Sequence, residues 1–341
     1  MYLLSFILLS FCLLALYRSR FFCSKSYSAS LSLCPFGVSV TASLKGWMAV
    51  AIVLHHVESH LFLGKYLWYG QMANWGLWIV SLFFFITGYG LQFSILHKGK
   101  SYLNGFFRRR IVKIILPLLV ATLGYLLFIY LINKEIRIDL GGGKTPLPNS
   151  WFAYTVVVYY VAFYFIQKYT DKPVWAHGLM GGFTLLYVWV MAQVLHFPPY
   201  WYLTSYGVNL GMLAQQYEKQ IQAFILLHTV QCWLGAVGLC GLYCLAAYVG
   251  LPGQSLLWGL SLPFLMLFLV YLGAFKGGAF SSWLGKYSYE IYLVHGTLFG
   301  LYPQFPLKGP VGDGCFVGCL LLFTGLLAFA LRKLCSLLQP S

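Results

Sequence analysis

The chain has 341 residues, of which 60% are hydrophobic and 9% charged, and it carries a formal net charge of +15. Soluble domains carry about 25% charged residues, so this composition excludes a fold covered by a water-facing surface. Its basic residues sit in short clusters between apolar runs, without the interleaved basic and aromatic surface that nucleic acid requires; membrane lipids, and no nucleic acid, are the expected surroundings.

In chain order the sequence reads as successive apolar stretches of bilayer length, about 17–25 residues each. The first, Tyr2–Tyr17, is followed rather than preceded by basic residues (Arg18, Arg20, Lys25), which predicts an anchor helix with its N-terminus outside rather than a cleaved signal. Residues 24–43 are Ser-rich and read as a linker. Helices are then expected at Trp47–Leu63, Trp75–Leu96, Ile111–Ile132, Trp151–Gln167, Ala176–His196 and Tyr200–Gln216. Four more follow at Gln222–Tyr248, Ser255–Phe275, Trp283–Tyr302 and Gly312–Arg332. The expected fold is all-α, a polytopic transmembrane bundle of about 10–11 helices.

Threading these helices with the N-terminus outside puts Lys65, Lys134, Arg137, Lys144 and Lys308 on the outer face, and the other seventeen of the 22 basic residues inside. That asymmetry fixes the expected orientation, because Lys and Arg accumulate in cytoplasmic loops. In a bacterial cell the place would be the inner, or plasma, membrane. Nine cysteines are scattered without a C-x-x-C pair, and read as small buried hydrophobes. Gly141–Thr145 resembles the end of a phosphate loop, but Ile138 stands where its first glycine belongs and no strand precedes it; a flexible loop is expected instead.

Four stretches carry candidate chemistry. In the first, Thr41 to His60, ten residues separate Lys45 from His56. Eleven steps of about 100° put both on one helix face, roughly 16 Å apart along the axis. Lys45 then lies at the cytoplasmic interface and His56 beyond mid-membrane, where an ionisable residue is costly and marks function. A neutral imidazole there is suited to take a proton from an alcohol. For His55 and His60 a plain hydrogen bond to a neighbouring helix is the expected role. The H-E-x-x-H order is absent and Glu58 is on another face, so no metal is expected.

The second stretch, Ser81 to Gly90, is an aromatic run with a small-residue notch at Thr87-Gly88 suited to a close helix neighbour. The third, Asn104 to Pro117, places Arg108, Arg109, Arg110 and Lys113 at a helix mouth, where guanidinium groups suit phosphate and also anchor the helix inside. In the fourth, Ser282 to His295, helical spacing puts Ser288, Tyr292 and His295 on one face, while Glu290 needs a partner that the sequence does not name.

Taken together these stretches resemble the acyltransferase-3 family of integral-membrane acyltransferases. A basic residue, ten spacers and a histidine match Lys45 and His56. The F-F-x-x-S-G pattern resembles Phe83–Gly88, shifted by one residue and with Thr87 for Ser. R-x-x-R before a proline-containing helix resembles Arg110 to Lys113 ahead of Pro117, and S-Y-x-I-Y-L-x-H matches Ser288 to His295. The sequence departs from the family in Lys113, which replaces the second Arg, and in the extra N-terminal helix.

Residues 1–40 are read as the extra anchor and linker, and the resemblance implies a ten-helix acyltransferase domain over 41–335. It implies an acyl-CoA donor, acetyl-CoA first, met by Lys45, Arg109, Arg110 and Lys113, with no metal. His56 would be general base on a hydroxyl of a glycan or lipid-linked sugar. His295 would serve a second proton step, and Ser288, Glu290 and Tyr292 would position the acceptor. The absence of a G-x-S-x-G elbow disfavours a hydrolase-type serine, whereas a Cys or His acyl carrier stays open. The rival reading is a transporter or flippase of a glycan or lipid intermediate, which intramembrane His and Glu also fit.

Overall fold

The computed structural model of the chain describes residues 36–62, 65, 72, 75–136, 140–249, 254–271, 275 and 277–338. It is 85% helical, with twelve α-helices and no strand among the described residues. The expected anchor Tyr2–Tyr17 and the linker as far as residue 35 lie outside them.

The helix that carries Lys45 and His56, α1, spans Val38–Val57, and so begins well before the expected start at Trp47. The Ser-rich stretch ahead of Trp47 is helical because its small residues form an interface. Ser43 Oγ donates to the Gly278 carbonyl at 3.2 Å and lies 2.8 Å from Ser282 Oγ, while Ser281 Oγ donates to Ser43 Oγ at 2.9 Å. In lipid, Ser and Gly pack and bond helices together, whereas in water the same composition reads as a linker. A π-helical turn, Glu58–Phe62, continues α1.

Next come α2 (Trp75–Lys98), α3 (Lys113–Asn133), entered through a π-helical turn at Phe107–Val112, α4 (Trp151–Tyr169) and α5 (Pro173–Trp189). They are followed by α6 (Gly207–Gln216), α7 (Glu218–Leu227), α8 (Thr229–Val249) and α9 (Gln254–Tyr271). The chain ends with α10 (Ala279–Gly285), α11 (Ser288–Val294), a 3-10 stretch at His295–Gln304, and α12 (Gly309–Leu338).

Three expected single helices are broken. Tyr200–Gln216 holds a one-turn 3-10 helix at Pro199–Trp201 and then α6. Gln222–Tyr248 is divided at His228 into α7 and α8, which meet at 99°. Trp283–Tyr302 is divided into α10, α11 and the 3-10 stretch. Hydropathy alone does not register such breaks, because a window of bilayer length averages over pieces shorter than itself. The Gly141–Gly143 loop, expected to be flexible, is held by Trp201, whose Nε1 donates to the Gly143 carbonyl at 3.0 Å.

Five helical stretches are long and apolar enough to cross a membrane: Val38–Phe62, Trp75–Leu103, Phe107–Ile132, Pro173–Val194 and Gly309–Leu338. A sixth is added if α7 and the start of α8 form one bent span. Their outward faces expose large apolar side chains such as Leu123 on α3, Leu185 on α5 and Leu322 on α12, as lipid contact requires. The protein is a multi-pass membrane protein. Ion pairs join loops that the charge count put on the same side: Lys65 with Asp313 outside, and Lys100 with Asp171 inside, each at 2.5 Å.

Two apolar cores flank α1. One gathers around α2, α4, α5 and α6 (Phe84, Phe85, Tyr159, Phe163, Met180, Met212). The notch at Gly88 fits this core: a Cβ there would lie 1.9 Å from the Val208 carbonyl oxygen, so α2 and α6 touch backbone to backbone. The other core joins α1, α11 and α12 through Val53, Val57, Leu293, Phe316 and Leu320. Helix α1 feeds both, and the site opens along the seam between them.

Candidate active site

A cavity of roughly 1010 Å³ lies in this seam. Seven of the nine residues singled out from the sequence line it: Lys45 from α1, Arg109, Arg110 and Lys113 from the entry to α3, and Ser288, Glu290 and Tyr292 from α11. Lys45 and Arg110 are half-buried and close enough to feel each other's charge, whereas Arg109 and Lys113 are exposed. Continuity of α1 from Val38 to Val57 keeps Lys45 and His56 on one helix, as their spacing predicts.

The two histidines are brought together beyond that cavity. The rings of His56 and His295 stack with centroids 5.0 Å apart and planes 26° from parallel. Neither is part of the cavity wall, which reaches Ile52 and Tyr292, each about one helical turn short of a histidine. His295 is fully buried. Its Nδ1 donates to the Tyr292 carbonyl at 2.7 Å, which leaves Nε2 as the lone-pair nitrogen. That Nε2 and the Nδ1 of His56 are buried without a hydrogen-bond partner among the described residues. Two imidazoles with uncommitted nitrogens, side by side in an apolar setting, can accept and pass a proton.

Over residues 43–333, a span that encloses every one of these groups, the sequence matches the acyltransferase-3 profile, described as an acyltransferase domain. The chain belongs to the acyltransferase-3 family. It is a membrane acyltransferase. Comparison with curated proteins and with solved structures returned no match.

In this acyltransferase several predicted side chains are committed to structure. Tyr292 Oη donates to the Asn149 carbonyl and accepts from the Phe152 backbone N–H at 3.2 Å, so it ties α11 to the start of α4. Ser288 Oγ donates to the Gly285 carbonyl at 3.0 Å across the break between α10 and α11. Glu290 finds the partner that the sequence left unnamed: Arg332 Nη1 lies 3.9 Å from its carboxylate. Arg109 Nη2 donates to the Tyr102 carbonyl at 2.5 Å, which holds the connection between α2 and α3.

His55 is hydrogen-bonded, but to the stretch between α1 and α2 rather than to a neighbouring helix, its Nδ1 donating to the Met72 carbonyl at 2.8 Å. His60 instead stacks on His56 at 5.3 Å and meets Phe299, extending the histidine cluster outward. Among the described residues no group of three or more His, Cys, Asp or Glu is arranged to hold a metal ion.

Sequence reasoning missed the residues that aim Arg110. Its Nε donates to Tyr102 Oη at 2.7 Å, and Tyr160 stands beside it on the same cavity wall. It missed Lys286 and Arg332 on the cavity wall as well, because each reads in sequence only as an inside anchor charge. The one available signal was Lys286, which sits inside the fourth stretch, just ahead of the motif that starts at Ser288.

Proposed function

We propose that this protein is an acyl-CoA-dependent O-acyltransferase, with an acetyl group the first choice, acting on a hydroxyl of a glycan or lipid-linked sugar. What supports the reading is a length. Lys45 stands with Arg110 at one end of the seam and His56 at the other, eleven residues along α1, or about 16 Å by helical rise. The arm of coenzyme A from its inner phosphate to its sulfur has about thirteen bonds, so it spans roughly 15 Å when extended at just over 1.1 Å per bond, the advance of an extended peptide. A donor phosphate on Lys45 and Arg110 therefore delivers its thioester to the level of the histidines.

There His56 takes the proton of the acceptor hydroxyl as its oxygen attacks the thioester carbonyl. The tetrahedral intermediate collapses to the ester and expels the thiolate, which takes the proton back from His56, leaving ester and free thiol. His295, with Nδ1 committed to the Tyr292 carbonyl, offers Nε2 to the acceptor hydroxyl or to a second proton step. The cavity wall ends at Ile52 and Tyr292, about one helical turn short of the histidines.

The test is transfer from labelled acetyl-CoA by purified protein in nanodiscs supplied with a membrane extract. His56→Ala is expected to bind donor and fail to transfer, and Arg110→Ala to bind donor weakly. Absence of donor binding and of acyl incorporation by the wild type would overturn the proposal and favour transport of a glycan or lipid intermediate.

A further inference from the structure

The donor reading leaves two basic side chains of the cavity without a role. Lys286 and Arg332 line the same cavity as Lys45, Arg109, Arg110 and Lys113, so six cations from four parts of the chain face one space. Glu290 is the one acid among the described lining residues. This excess is more than a single phosphodiester requires.

The six fall into two tiers. Lys45 and Arg110 are half-buried and form the inner tier, while Arg109, Lys113, Lys286 and Arg332 are exposed at the rim. Within the rim, Arg109 is turned to the Tyr102 carbonyl. Lys286 and Arg332 form a unit of their own. The Arg332 guanidinium donates to the Lys286 carbonyl and lies 5.2 Å from the centre of the Tyr287 ring. Glu290, at 3.9 Å, is beyond hydrogen-bond length, so it offsets charge without consuming a donor. A guanidinium carries five N–H donors, so donors remain for an anion. Lys286 is held beside α1 because Gly285 packs directly on it: a Cβ at Gly285 would lie 1.8 Å from the Ala42 carbonyl oxygen.

Building on the donor reading, we infer that Lys286 and Arg332 form a second anion subsite, which binds the 3′-phosphate on the ribose of free coenzyme A. Coenzyme A carries two anionic centres separated by a ribose: the pyrophosphate that continues into the pantetheine arm, and the 3′-phosphate at the adenosine end. With the arm pointing inward along α1, the pyrophosphate meets the inner tier and the adenosine end stays at the rim. A phosphopantetheine thioester carried on a protein has only the inner phosphate and leaves this subsite unused. The pair therefore selects the free coenzyme over a carrier-bound thioester.

The experiment measures binding of coenzyme A and of 3′-dephospho-coenzyme A to full-length protein in nanodiscs. The proteins compared are wild type, Lys286→Ala, and Lys286→Ala with Arg332→Gln. Two charge-assisted contacts predict that wild type prefers coenzyme A by about tenfold or more. The single variant should lose part of that preference and the double variant nearly all of it, with affinity for the dephospho form unchanged. That unchanged affinity also shows that the variants remain folded. Equal binding of the two ligands by wild type, or a preference that survives in both variants, overturns the subsite and leaves the donor reading standing. Binding of neither ligand by wild type removes the donor reading, and this inference with it.

Discussion

The contact between α1 and α10 places Lys286, and the α11 that leads to His295, against the helix of Lys45, and Gly285→Ala tests it. The added Cβ would lie 1.8 Å from the Ala42 carbonyl oxygen and 2.6 Å from its carbon, where ordinary contact begins at 3.4 Å. Both obstacles are backbone, so the two helices must separate by about 1.6 Å at this point. Overpacking of this kind costs about 1–3 kcal/mol. Separation also weakens the bonds of Ser43 to Ser281 and Ser282, worth about 0.6 kcal/mol each in a membrane protein. The expected loss is about 1–4 kcal/mol, read from a denaturing-detergent unfolding titration. Donor binding should fall alongside, because Lys286 moves away from Lys45. The control is Gly181→Ala in α5, where a Cβ meets nothing within 4 Å; helix propensity there predicts stabilisation of up to about 1 kcal/mol. Equal stability of Gly285→Ala and wild type, within about 0.5 kcal/mol, would refute the close-packing argument.

Tyr292→Phe removes the bridge to Asn149 and Phe152 and is expected to lower stability by about 1–3 kcal/mol. If Tyr292 is an anchor, the KM for acceptor stays unchanged, and a large rise in that KM would return it to acceptor binding. Tyr102→Phe releases Arg110 Nε and is expected to weaken donor binding several-fold without a change in kcat, as ligand titration and steady-state kinetics will show. Asp313→Asn removes the charge that Lys65 meets at 2.5 Å and Tyr302 meets at 2.8 Å. Because Asp313 is buried, a loss of about 1–3 kcal/mol is expected in the same unfolding titration, and no change would mean that the outer ion pair adds nothing.

Composition and hydropathy by themselves determined the class of this protein, because a chain with 9% charge has no means of covering itself against water. The spacing of Lys45 and His56 determined that they share a helix face, since that depends only on helical rise and twist. The Thr87-Gly88 notch announced a close neighbour for the same local reason, although α6 as that neighbour was not legible. What only the tertiary structure decided depends on approach between distant segments. His56 and His295 meet through the breaks that turn α10 into α11 and then into a 3-10 stretch, and a hydropathy window of bilayer length averages over such short pieces. Tyr292 and Ser288 share the predicted face, yet their hydroxyls go to backbone carbonyls contributed by other turns of the chain. Lys286 and Arg332 look in sequence like anchors at the membrane edge. Lys286 becomes part of the cavity because Gly285 lets α10 sit directly on α1, a steric permission that no residue spacing records, and Arg332 joins it by bonding the Lys286 carbonyl.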